Sequence, residues 1–134
     1  MSARAAVDEA TAEAILALGP IRVESFADVG GGALDLARAL HDRHGARIFL
    51  VDMVKSGAFS DAPSTWVAPY MAALESAGVP SDAVTRVGSA EEIRPWDVIA
   101  NFGCFGDAWK VRHLAPLIEG GMHADSVMLT DIRK

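Results

Sequence analysis

Segments patterned as strands and segments patterned as helices take turns along this chain, five times over. Val7, Thr11, Ala14, Ile15 and Leu18 recur at helical spacing until Gly19-Pro20 stops them. "VESFADV" then reads as a short strand ending at three glycines. Ala33, Leu36, Ala37 and Leu40 mark one face of a helix, with Gly45 as its C-terminal cap. "RIFLVD" is a compact apolar run of the buried-strand type. After a loop from about Met53 to Thr65, Val67, Tyr70, Met71 and Leu74 give another helical face, closed by Gly78. "AVTRV" is a weaker strand and "DVIANF" a better one. From Asp107 a further helix carries Trp109, His113, Leu114 and Leu117, and Pro116 is expected to bend or split it. Gly120-Gly121 end that helix, and "SVMLTDI" is the last strand.

Such alternation favours a parallel sheet covered by helices on both faces. The expected fold class is α/β, a doubly wound, mainly parallel five-stranded sheet of order 3-2-1-4-5 in three layers. The 134 residues suffice for one domain, with an N-terminal helix over 1–20 and a sheet core over 23–134. A hydrophobic content of 51% excludes a disordered chain. With 12 basic against 18 acidic residues, a net charge of −6 and no basic cluster, nucleic acid and anionic membranes are poor partners. The single Cys104 forbids an internal disulfide and suits a reducing compartment. Asp8 and Glu9 interrupt the place where a signal sequence would be greasy, and no run approaches the ~20 apolar residues that span a bilayer. A cytoplasmic protein is the expectation.

In doubly wound sheets ligands bind beyond the C-terminal strand ends, where the chain order reverses. The turn after the first strand lies there. Gly30, Gly31 and Gly32 lack Cβ atoms, so a cofactor can lie on the main chain, and the helix that follows offers free N–H groups. The second strand ends at Asp52, 20 residues after Gly32, where a carboxylate can accept hydrogen bonds from both hydroxyls of a ribose. Glycines that only permit close packing are the competing explanation. A dinucleotide fingerprint started at Gly30 would need glycine or alanine where Asp35 stands, and it requires no acid before its first glycine.

The pattern Asp28-Val-Gly30-Gly-Gly32-Ala-Leu34 instead resembles motif I of the class I S-adenosylmethionine-dependent methyltransferases, acid-x-G-x-G-x-G. "FLVDM" resembles their second motif, "VGSAEEI" the third, "WDVIANFGCFGD" the fourth strand with its site loop, and "LAPLIEGGMHADSVMLTDI" the turn and fifth strand that follow. The likeness runs from about Ser25 to Ile132. The long loop after "FLVDM", the "NFGCFGDAW" segment and the closing "LTDIRK" also resemble bacterial proteins proposed to be sugar O-methyltransferases.

The resemblance implies S-adenosylmethionine as cofactor, held by Asp28, Gly30, Gly31, Gly32, Asp52, Met53, Ser89, Ala90, Glu91 and Asn101. There are departures. Leu34 replaces the third glycine of motif I, and Ser89 stands where an adenine-contacting acid is common. The sequence stops at Lys134, without the helix and strand pair that the family adds after its fifth strand. An apolar "SVMLTDI" at the sheet edge invites pairing with a second chain, so a homodimer is expected there or at the helices beside it. The charges of Asp131, Arg133 and Lys134 can instead blunt that edge.

Methyl transfer needs in-line approach of the acceptor, and positioning supplies most of the acceleration. A hydroxyl acceptor is helped by a nearby base. The candidates for catalysis are Asn101, His113 and Asp131, each with a bland alternative: a loop-capping amide, a packing histidine and an edge cap. Cys104 between two phenylalanines reads as a small hydrophobe, and Asp107 as a helix N-cap. His41 and His44 are the only metal-like pair, with no further ligand spaced to close a tetrahedral site, so no metal is expected. Trp66, Tyr70 and Met71 look like a ligand-facing aromatic group, but their helical spacing makes core packing the default; Trp66, which follows the acid-ended strand, is the one that can lie near an adenine. Three readings stand: a methyltransferase acting on a small molecule, with a sugar-like hydroxyl as the acceptor that the finer resemblance implies; a non-catalytic binding module with the same cleft; and a nicotinamide-dependent oxidoreductase, disfavoured by Asp28 and Asp35.

Overall fold

The computed structural model of the chain describes residues 9–53, 58–105 and 114–132. Five strands form one sheet: β1 Ser25–Val29, β2 Arg47–Val51, β3 Val84–Val87, β4 Trp96–Phe105 and β5 Met122–Ile132. Every pairing is parallel and the order is β3-β2-β1-β4-β5, as the alternation implies. The chain therefore runs outward from β1 to β3, returns past β1 and continues outward through β4 to β5. The reversal puts a crevice at the C-terminal tips of β1 and β4.

Among the described residues, helix α1 Glu9–Leu18 precedes the sheet and three helices connect strands: α2 Leu34–His44, α3 Val67–Ser76 and α4 Ala115–Gly121. Side chains alternate across the strands, and both faces are buried. Phe26, Ile48, Leu50, Val98 and Ala100 pack with Leu36, Leu40 and Leu74 of α2 and α3. Ala27, Val29, Val51 and Ile99 pack with Trp96, Leu114 and Leu117 on the other face. That two-sided burial explains why β1 and β2 are apolar runs with no polar face. Each large side chain fully buried in this way contributes about 1.5–3 kcal/mol.

The helix boundaries follow local chemistry. Gly45 caps α2 in the left-handed conformation at φ 68°, and its amide donates to the His41 carbonyl. The stretch from Asp107 to His113, and with it the expected bend or split, lies outside the described residues, so what is seen of Pro116 is its place in α4. It stands in the first turn of α4, where its missing N–H would have had no intrahelical partner. β5 begins at Met122, earlier than the apolar pattern suggests, because its first residues are exposed and carry no core signature. At the N-terminal ends of the strands, Asp97 accepts from the Glu24 and Ser25 amides and pairs with His123 Nε2 at 2.8 Å, tying β1, β4 and β5 together. Among the described residues, β5 pairs only with β4 and forms one edge of the sheet.

Candidate functional site

The turn from β1 to α2 is built on two glycines in the left-handed region, Gly30 at φ 86° and Gly31 at φ 85°. Residues with a Cβ rarely adopt that conformation. The Gly30 amide donates to the Val51 carbonyl, which holds the turn against β2. Asp28, fully buried in β1, supports the turn from beneath: its Oδ2 accepts from the Ala33 amide at 2.9 Å and from the Tyr70 hydroxyl at 2.7 Å. Burial pushes the Asp28 carboxyl up to about 6 in spite of these donors, and the Gly31 and Gly32 amides add weaker downward pulls. Burial and the neighbouring Asp28 charge likewise push the Tyr70 hydroxyl well above its ordinary range.

The glycines have packing neighbours of their own. A Cβ on Gly31 would stand 2.5 Å from the Trp66 ring, and one on Gly32 would strike the Phe102 carbonyl of β4. Close packing therefore accounts for part of the cluster. Trp66 is half-buried and meets Tyr70 edge-on, with ring centroids 5.6 Å apart.

Asp52 follows β2 directly and is fully buried. Its Oδ2 accepts from the Ser64 amide at 2.8 Å and forms an ion pair with Arg86 Nε at 3.0 Å. Arg86, on β3, also donates from Nη2 to the Ser60 carbonyl at 2.6 Å. One carboxylate thus anchors both a neighbouring strand and the segment Ser60–Trp66. Asn101, buried in β4, donates its Nδ2 to the Val29 carbonyl at 3.0 Å.

Asp28 Oδ1, Asp52 Oδ1 and Asn101 Oδ1 are buried with no hydrogen-bond partner among the described residues. The register brings their backbones close. Asn101 stands level with Val29, and Asp52 one step beyond the Val29–Val51 pair. Successive side chains of a strand face opposite sides: Asp28 shares the face of Phe26 on β1, whereas Asn101 shares that of Ile99 on β4, so the pleat sends these two groups to opposite faces of the sheet. Buried acceptors are nearly always paired in folded proteins. The one at the end of β2, Asp52 Oδ1, fits a ligand that brings a donor, such as a ribose hydroxyl.

The remaining expected residues are placed as follows. Met53 is buried and bridges to Phe59, packed in the core on the Trp96 side of the sheet. Ser89 follows β3, and its hydroxyl donates to Glu92 at 3.0 Å; Ala90 and Glu91 begin a short exposed turn. Asp131 lies in β5, but its side chain and that of Cys104 are outside the described residues, as are His113, Asp107 and Trp109. His41 Nδ1 lies 3.0 Å from the Ala46 carbonyl, and no group of three metal-ligating side chains occurs among the described residues. No helix among them is long and apolar enough to cross a membrane. Tyr70, expected as core packing, also donates to Asp28, and Ser64 and Arg86 were not among the expected site residues. For Arg86 there was a signal: a cation within the strand "VTRV" needs a partner.

Solved structures share this architecture. A S-adenosylmethionine-dependent methyltransferase from Thiobacillus denitrificans, crystallised with S-adenosyl-L-homocysteine, superposes with a TM-score of 0.64 at 18% identity, over 91% of this chain and 47% of that one. One from Geobacter sulfurreducens, also with S-adenosyl-L-homocysteine, gives 0.63 at 17% over 96% and 51%. A proposed O-methyltransferase from Nostoc punctiforme gives 0.67 at 17% over 92% and 36%. The chain has the fold of these methyltransferases. It spans about half or less of their length. No protein-family model matches it, and no curated protein matches it in sequence.

Proposed function

We propose that the chain binds S-adenosylmethionine at the C-terminal tips of β1, β2 and β4 and serves a methyltransferase acting on a small molecule. The observation that carries this reading is the unpaired buried Oδ1 of Asp52, next to Val51, whose carbonyl holds the glycine turn through the Gly30 amide. Asp52 Oδ1 accepts from the ribose. Gly30, Gly31, Gly32, Met53, Ser89, Ala90 and Glu91 complete the cofactor-binding set. Asn101 gives one Nδ2 hydrogen to the Val29 carbonyl and has its unpaired Oδ1 left to accept from a donor on cofactor or substrate. The bound cofactor supplies the methyl group. The acceptor proton needs a base, and His113 and Asp131 are the candidates.

A sugar-like hydroxyl is the proposed acceptor, on the resemblance of "NFGCFGDAW" and "LTDIRK" to proposed sugar O-methyltransferases. The half-exposed edge strand β5 supports a homodimer. A net charge of −6 argues against nucleic acid as partner. The reducing compartment suited to one cysteine is the cytoplasm.

The packing of Trp66 on Gly31 and of Phe102 on Gly32 favours a second reading, a module that keeps the fold without catalysis. Titration calorimetry with S-adenosylmethionine, S-adenosylhomocysteine and NAD tests the first reading. Binding of the two adenosyl sulfur compounds without NAD supports it, and binding of NAD alone returns the oxidoreductase. Absence of all binding leaves the packing module. Transfer of labelled methyl to a hydroxylated acceptor then separates enzyme from binder.

A further inference from the structure

The segment Ser60–Trp66 occupies the crevice in an organised way. It is fastened at three points: the Ser60 amide donates to the Asp52 carbonyl at 3.0 Å, the Ser64 amide to Asp52 Oδ2 at 2.8 Å, and Arg86 Nη2 to the Ser60 carbonyl at 2.6 Å. The Ser64 amide and Arg86 Nε take one Asp52 oxygen, while the other is buried without a partner. The segment ends on Trp66, whose ring fills the space that a Gly31 side chain would take. The indole is only half-buried, although its neighbour Tyr70 is 5% exposed and tied to Asp28.

We infer that Ser60–Trp66 is a strap that closes the cofactor crevice with the chain's own indole, and that an adenosyl ligand binds only after Trp66 leaves Gly31. This rests on the reading of the crevice as an adenosyl site. The physical sense is a competition for one stretch of bare main chain. The indole and an adenosyl group resting on Gly31 would need the same space, so one excludes the other. A closed state that leaves about 1–10% of molecules open lowers apparent affinity about ten- to hundredfold. A ring that merely belonged to the core would have no such effect, and a ring that stacked on the ligand would have the opposite one.

The test is equilibrium binding of S-adenosylhomocysteine to the wild-type chain, Trp66→Ala and Trp66→Phe, each checked by circular dichroism. The expected result is tighter binding by Trp66→Ala, about tenfold or more, with Trp66→Phe between it and wild type. Binding by Trp66→Ala where wild type shows none has the same meaning. If Trp66→Ala does not fold, Trp66→Phe alone decides, since it keeps an aromatic ring against Tyr70. Wild type that binds, with variants equal or weaker, overturns the strap and leaves the adenosyl site standing. No binding by any of the three overturns both.

Discussion

The Tyr70 hydroxyl on α3 donates to Asp28 Oδ2 on β1 at 2.7 Å, joining a helix to the strand tip that carries the glycine turn. The two residues are 42 positions apart in sequence. Removing the donor leaves a buried carboxylate one bond short. Tyr70→Phe is expected to lower stability by about 1.5–3 kcal/mol at pH 8, the range for bonds to charged groups. Urea unfolding measures it, and a loss below about 0.5 kcal/mol would show that the bond contributes little.

Asp28 itself makes stability depend on pH. Its carboxyl is raised from 3.8 to about 6 in the fold, so the folded chain holds a proton that the unfolded chain has released. Unfolding stability therefore falls as pH rises from about 4 to about 6, by on the order of 3 kcal/mol, and levels off above. Asp97, lowered by the His123 hydrogen bond and the Glu24 and Ser25 amides against its own desolvation, acts in a separate window below 3.8. Comparison of wild type with Asp28→Asn across pH 4–8 isolates the effect: the difference between the two should change through the lower window and stay constant above pH 7. A difference independent of pH would remove the assignment.

The glycine turn tolerates no side chain. Gly32→Ala drives a methyl into the Phe102 carbonyl, a backbone atom that cannot swing away. A loss of about 1–3 kcal/mol or more is expected. Gly31→Ala adds the left-handed backbone penalty of about 1–2 kcal/mol to displacement of the indole. Because the neighbour there is Trp66, Trp66→Ala should recover part of the Gly31→Ala loss in a double-mutant cycle. Strict additivity in thermal melts would mean that the ring does not rest on Gly31.

The edge at β5 gives a prediction on assembly. Val127, Met128 and Leu129 are half-exposed, and β4 is the strand's sole partner among the described residues. Light scattering across micromolar concentrations should return twice the monomer mass. Serine to lysine replacement at Ser126, or threonine to lysine at Thr130, should shift it toward the monomer by charging the edge. A monomer at every concentration contradicts the dimer.

Much of the architecture was legible because buried parallel strands and amphipathic helices leave opposite periodic marks. "IFLV" and "VIA" could only be interior strands, and Leu36, Ala37 and Leu40 only a buried helical face. Asp28 and Asp52 stood out because an acid at the end of an apolar strand has few uses. The contacts that close the crevice left no such mark. Ser64 meets Asp52 across a loop, Arg86 meets it from another strand, and Trp66 meets Gly31 through the absence of a Cβ. Each depends on where the loop after β2 is laid down, which neither composition nor spacing encodes.

The central claim is that Asp52 Oδ1 is an acceptor kept for a ribose. A crystal structure of the chain grown with S-adenosylhomocysteine measures it directly. The account predicts a ribose hydroxyl within about 3.2 Å of Asp52 Oδ1, with the Trp66 ring lifted from Gly31. Crystals that take up no ligand, or a ligand seated elsewhere while the indole still covers the glycine turn, would contradict it.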